Sequence, residues 1–111
     1  MEYRSKFDSP ANDSLFRAIL SLETTEECYR FFEDLMTIKE LQDISQRWQV
    51  ARMLDSGKTY NEIAALTKAS AATISRVSKC LTYGAEGYTS MLKKLKAEDE
   101  KEDASEEKGE A

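Results

Sequence analysis

The chain has 111 residues, 33% of them charged, a formal net charge of −5 and no histidine. A chain of that length suits one domain with a modest core that gains from a partner chain. The missing histidine removes the usual general base and the commonest metal ligand, and Cys28 and Cys80 lack C-x-x-C spacing. No catalytic residue, metal site or cofactor is therefore expected, and an enzyme is the least favoured class.

Only four glycines and one proline punctuate the chain, and the periodicity is helical from end to end. Ser9 is the expected N-cap of a first helix with Pro10 at its opening position, where a missing N–H costs nothing. Leu15, Ile19 and Leu22, with Phe16 and Leu20, give it a broad apolar face. Thr24 and Glu27 have capping-box spacing and start a second helix marked by Cys28, Phe31, Phe32, Leu35 and Met36. Thr37 and Glu40 repeat the signal for a third helix to about Asp55, with Leu41, Ile44, Trp48 and Ala51 on one face. Gly57 supplies a left-handed stop.

Thr59 and Glu62 open a short fourth helix ending near Thr67, and Ser70 caps a fifth that runs to Tyr83 before Gly84. A last amphipathic stretch carries Tyr88, Met91, Leu92 and Leu95. The expected architecture is an all-α, six-helix domain over residues 1–97. Residues 98–111, with eight acids against two lysines, have the composition of a disordered acidic tail. The N-terminus lacks a signal-peptide core and no apolar run approaches membrane-spanning length, so a soluble cytoplasmic protein is expected. Both cysteines fall on apolar helix patterns and read as buried thiols in a reducing compartment.

Charge is unevenly distributed. Residues 1–45 hold ten acids and five bases, whereas residues 46–79 hold Arg47, Arg52, Lys58, Lys68, Arg76 and Lys79 against Asp55 and Glu62. A basic segment in an acidic chain is what a phosphate-meeting surface needs, although a merely solvated basic face has the same composition.

Within that segment, "TYNEIAALTKASAATISRVSKCL" (residues 59–81) reads as two helices joined by roughly three residues, the spacing of a helix-turn-helix. Ile74, Val77 and Leu81 form one inward stripe, leaving Ala72, Arg76, Lys79 and Tyr83 outward with Ser75 alongside. Small residues at a helix start let backbone approach base edges, and alanine and threonine methyls can touch thymine methyls. Free N–H groups and the positive dipole end there favour phosphate. The candidate DNA-binding residues are Tyr60, Asn61, Lys68, Ala71, Ala72, Thr73, Ser75, Arg76 and Lys79. Lys68 stands where such turns commonly have glycine. An ordinary helical hairpin with a polar outer face is the competing reading.

The stretch "MTIKELQDISQRWQVARMLDSGKTYNEIAALTKASAATISRVSKCL" (residues 36–81) resembles the core of the tryptophan repressor superfamily, in particular its YerC/YecD group. The likeness extends over about residues 10–97. It implies an intertwined, all-helical homodimer with one helix-turn-helix per chain, acting on double-stranded DNA as a transcriptional regulator of the repressor type. The residues alone also lean toward a dimer, because Phe16, Leu20, Phe31, Phe32 and Met36 exceed what one short hairpin buries. A monomer with a larger core is the alternative, and a helical protein-interaction module is the alternative function.

The resemblance further places Thr37, Arg47 and Arg76 on effector-contacting positions, where the two guanidinium groups would clamp an anion. Three departures alter that clamp: Val77 replaces a glycine, Asp34 a leucine and Cys80 a serine. An anionic effector of unknown identity is compatible with this pattern, and L-tryptophan is not the expected one. Arg47 and Arg76 could equally bind phosphate or pair with acids.

Overall fold

The computed structural model describes residues 3–109, with side chains for residues 3–99. Among them are six α-helices and no strand: α1 (Pro10–Leu20), α2 (Thr25–Leu35), α3 (Ile38–Asp55), α4 (Tyr60–Thr67), α5 (Ala71–Tyr83) and α6 (Gly87–Gly109). The all-helical fold expected from the sequence is therefore observed. The chain divides into two compact units, Met1–Leu41 and Gln42–Ala111, where the sequence suggests one body over residues 1–97.

Capping chemistry sets the helix starts. Ser9, Thr24, Thr59 and Ser70 each adopt extended backbone and accept a hydrogen bond from the N–H three residues on. This satisfies one of the donors a helix start leaves unpaired and is worth about 1 kcal/mol per cap. At α3 the box is reciprocal: Thr37 Oγ1 accepts from the Glu40 N–H at 3.1 Å, and the Thr37 N–H donates to Glu40 Oε1 at 3.0 Å. Hydrogen bonds from the Thr37 backbone and side chain hold the Glu40 carboxyl below its ordinary range, so the carboxylate half of this lock operates above that range and is lost as falling pH protonates Glu40. Thr24 departs from the full box, because Glu27 Oε2 accepts from the N–H of Glu23 instead, at 2.8 Å.

In the first unit, neither α1 nor α2 contains a buried residue. Phe31 and Phe32 meet edge to face at 5.5 Å between centroids, while Phe16 and Leu20 stay 56% and 83% exposed. The second unit holds the core. Val50 and Ala51 of α3, Ile63 of α4, Ala69, and Ile74 and Val77 of α5 are buried together, ringed by Trp48, Met53, Leu54, Ala64, Leu81 and Tyr88. Burying such aliphatic side chains contributes about 1.5–3 kcal/mol each. Of the face expected on α3, Ala51 is buried and Trp48 packs against the core, whereas Ile44 remains 42% exposed and Val50, outside that face, is buried as well.

Gly57 ends α3 at φ +88° as expected, with Lys58 N–H bonded to Met53 O and Gly57 N–H to Leu54 O, the paired bonds of a Schellman stop. Two expectations are corrected. Cys80 is exposed and Cys28 half-buried, so neither is a buried thiol. Cys80 lies roughly a quarter-turn from the Ile74/Val77/Leu81 stripe at 100° per residue, too far round to reach the core. Residues 98–109, expected as a disordered tail, continue α6 as helical backbone. Glu, Lys and Ala are strong helix formers, and no glycine or proline interrupts them before Gly109. Residues 110 and 111 of that predicted tail lie outside the described residues.

Candidate nucleic-acid interface

The two helices that would meet DNA are held by a turn of Lys68, Ala69 and Ser70, the length expected from sequence. Ala69 is buried between Ile63 and Ile74, which draws the end of α4 onto the start of α5. Thr67 Oγ1 donates to Ile63 O at 2.8 Å and accepts from the Ala69 N–H at 3.2 Å. From α3, Gln46 Nε2 donates to Thr67 O at 3.0 Å, satisfying a carbonyl at the α4 end. Sequence reading missed the bond from Gln46 to Thr67. Gln46 bonds a residue 21 positions away, a relation with no local signal.

Lys68 adopts the left-handed conformation at φ 62°, ψ 15°, with its N–H bonded to Ala64 O at 3.0 Å. A side chain there costs about 1 kcal/mol relative to glycine. Lys68→Gly is therefore expected to stabilise the protein against urea by about 1 kcal/mol, whereas Lys68→Ala, which keeps the Cβ, gains nothing. Equal midpoints for the two variants would contradict the strain assigned to this turn.

Along α5 the buried stripe of Ile74 and Val77, with half-buried Leu81, fixes which residues face outward. Ala71, Ala72, Arg76 and Lys79 are exposed, Thr73 and Ser75 half-buried, and Lys68, Tyr60 and Asn61 exposed on the turn and at the start of α4. All nine candidate residues thus belong to one unit and remain accessible at least in part. The Thr73 hydroxyl is engaged by Ser70 Oγ at 3.1 Å, which fixes its position in the first turn. The first turns of α1 to α4 each contain an acid (Asp13, Glu26 and Glu27, Glu40, Glu62), but that of α5 contains none. Its positive end is left uncompensated by its own side chains.

Beside α5 lies a cavity of about 220 Å³ lined by Asp43, Gln46 and Arg47 of α3 and Thr73 and Arg76 of α5. Arg47 and Arg76 are thereby brought to one hollow, with Arg47 Nε donating to the Asp43 carbonyl at 3.4 Å. Thr37 belongs to the first unit, where both its N–H and its hydroxyl serve the α3 cap. Asp34 is an exposed residue of that unit as well. Val77 is buried in the core and does not line this hollow. A second, more apolar hollow of about 510 Å³ shares Arg47 and is otherwise lined by Ile44, Trp48 and Tyr88. There Trp48 and Tyr88 stack at 6.4 Å, and burial pushes the Tyr88 phenol above its ordinary range, with Cys80 adding to the rise and Arg47 opposing it.

Among the described residues, an all-helical chain whose fourth and fifth helices are joined by a capped three-residue turn defines an all-α helix-turn-helix protein. The family described as Trp repressor protein matches residues 11–96, and the chain belongs to it; that is a family of regulators, not enzymes. The chain is 56% identical over 84 residues to Uncharacterized protein YerC of Bacillus subtilis (strain 168), spanning 76% of this chain and 81% of that protein. Its fold is similar to the crystal structure of a candidate Trp repressor from Staphylococcus aureus. There the TM-score is 0.79 at 49% identity, over 82% of this chain and 91% of that one. A TrpR-like protein from Eubacterium eligens ATCC 27750 gives a TM-score of 0.78 at 49% identity, over 81% and 93%. Among the described residues, no helix is long and apolar enough to cross a membrane.

Proposed function

We propose that this protein is a sequence-specific, DNA-binding transcriptional regulator of the repressor type, acting in the cytoplasm as a homodimer on double-stranded DNA. The observation that carries the reading is the start of α5: a hydroxyl cap, no acid in the first turn, small exposed residues, then Arg76 and Lys79. In this reading Ala71 and Ala72 let backbone approach the base edges and Thr73 and Ser75 offer hydroxyls. Arg76 reaches a base, preferentially guanine. Lys68, Lys79, Tyr60 and Asn61 meet phosphate and set register.

The homodimer is supported by the first unit, whose helices bury no residue and expose Phe16, Leu20, Leu35 and Ile38. Effector binding centres on Arg47 and Arg76, which line one hollow. The polar lining between the two arginines suits an anion other than L-tryptophan.

In vitro selection from a random duplex library, followed by a salt titration, tests the reading. The expected result is an enriched sequence with two half-sites about one helical turn, roughly 34 Å, apart. Affinity should fall steeply with salt, because each phosphate neutralised releases counterions. Sedimentation at micromolar protein is expected to give a dimer. A stable monomer that still binds the selected DNA would remove the dimer. No enrichment, with salt-insensitive binding to protein partners instead, would favour an interaction module.

A further inference from the structure

We infer that Gln46 is a positioning residue for DNA recognition: from α3 it holds the turn that aims α5, without itself touching DNA. The inference rests on the proposed role of α5 at base edges. Gln46 stands one turn before Val50 on α3, so the two side chains share a side of that helix. Val50 is buried in the core there, while half-buried Gln46 donates through Nε2 to the Thr67 carbonyl at 3.0 Å. The same peptide unit is held at its other end, where the Lys68 N–H donates to Ala64 O at 3.0 Å. Ala69, the next residue on, is buried, and its N–H donates to Thr67 Oγ1 at 3.2 Å. Lys68 is thus held on both sides, and its φ of 62° follows from where its neighbours are fixed. A side chain persists in such a conformation only where its surroundings over-determine it. The bonds to Ala64 O and Thr67 Oγ1 are local to α4 and its turn. The Gln46 bond differs in kind, because it ties the turn to α3 across 21 positions.

The hold matters because α5 is a lever. Arg76 lies about 9 Å along the helix from the Ser70 cap. A tilt of about 10° at the turn therefore displaces Arg76 by roughly 1.5 Å, beyond the ~0.5 Å within which a recognition group must be held. Hydrogen bonds to base edges do not survive that shift, whereas flexible lysines still find phosphate. Loss of the Gln46 bond therefore costs sequence preference before it costs nonspecific affinity.

The test compares Gln46→Met, which keeps a similar reach but cannot donate, with Gln42→Met at an exposed position of the same helix. Amide exchange in the free protein reads the turn, referred to the core amide of Val77 so that any general loss of stability cancels. In Gln46→Met the Lys68 and Ala69 amides are expected to exchange about fivefold faster on that scale, the factor that one net hydrogen bond supplies. Anisotropy then compares selected DNA with a random duplex. The selected complex should weaken by a similar factor, about fivefold, because only correctly aimed molecules bind it. The random complex should hardly change, and preference should relax at several base positions together. Gln42→Met should leave exchange and binding as they were. Unchanged exchange at both turn amides would overturn the inference. So would equal losses on selected and random DNA, which mark a phosphate contact, or relaxed preference at a single base, which marks a direct one. A protein that selects no DNA fails the proposed function, and the aiming of α5 at bases falls with it. The exchange measurement separately decides whether Gln46 holds the turn.

Discussion

Ile74→Ala is expected to cost about 2–5 kcal/mol of folding stability, because Ile74 is only 1% exposed and sits where α3, α4 and α5 converge. Its removal forfeits the transfer energy of the lost carbons and leaves a void that the neighbours fill only partly. Natural domains have about 5–15 kcal/mol in total, so the variant should be largely unfolded at modest urea. Leu66→Ala is the matched comparison. Leu66 lies on α4, in the same motif, but is 62% exposed, and its truncation should stay within about 0.5 kcal/mol. Urea midpoints decide the case, and equal losses for the two variants would mean that the core is not centred on α5.

Arg76→Ala is expected to weaken DNA binding by about 1–3 kcal/mol and to relax preference at one base position, whereas Lys93→Ala should leave binding nearly unchanged. Both residues are exposed, so neither change removes buried packing. They differ in place. Arg76 stands on the outward face of α5, and Lys93 on α6, outside the motif. Anisotropy titrations on selected DNA, with circular dichroism to verify folding, measure the difference. Equal losses would show that the arginine contributes only charge.

The parts of this fold legible from sequence are those decided within a few residues. Thr37 with Glu40 and Ser70 with Thr73 announce their helix starts because a hydroxyl or carboxylate reaches an N–H three positions away. Gly57 announces the end of α3 by its tolerance of positive φ. The outward face of α5 was equally readable, since fixing Ile74 and Val77 inward fixes Arg76 and Lys79 outward. What escaped reading depends on distant partners. The Gln46 bond to Thr67 and the burial of Val50 in preference to Ile44 follow from how helices pack. The helical backbone of residues 98–109 escaped for another reason. Low hydrophobicity and high charge signal disorder, yet the same glutamates and lysines have strong helix propensity.

The acid-free first turn of α5 sets stability against activity. A glutamate at Ala71 would complement the helix dipole as the acids of α1 to α4 do, for about 0.3–1 kcal/mol. It would also hold a negative charge where phosphate is expected, and repel it. The free protein is thus less stable than its fold permits at a helix start that, like that of α6, has no acid in its first turn and that the proposed function assigns to phosphate. An engineering campaign guided by melting temperature alone would drift toward an acid at this position and yield a hardier protein that, on the proposed function, has lost its grip on DNA.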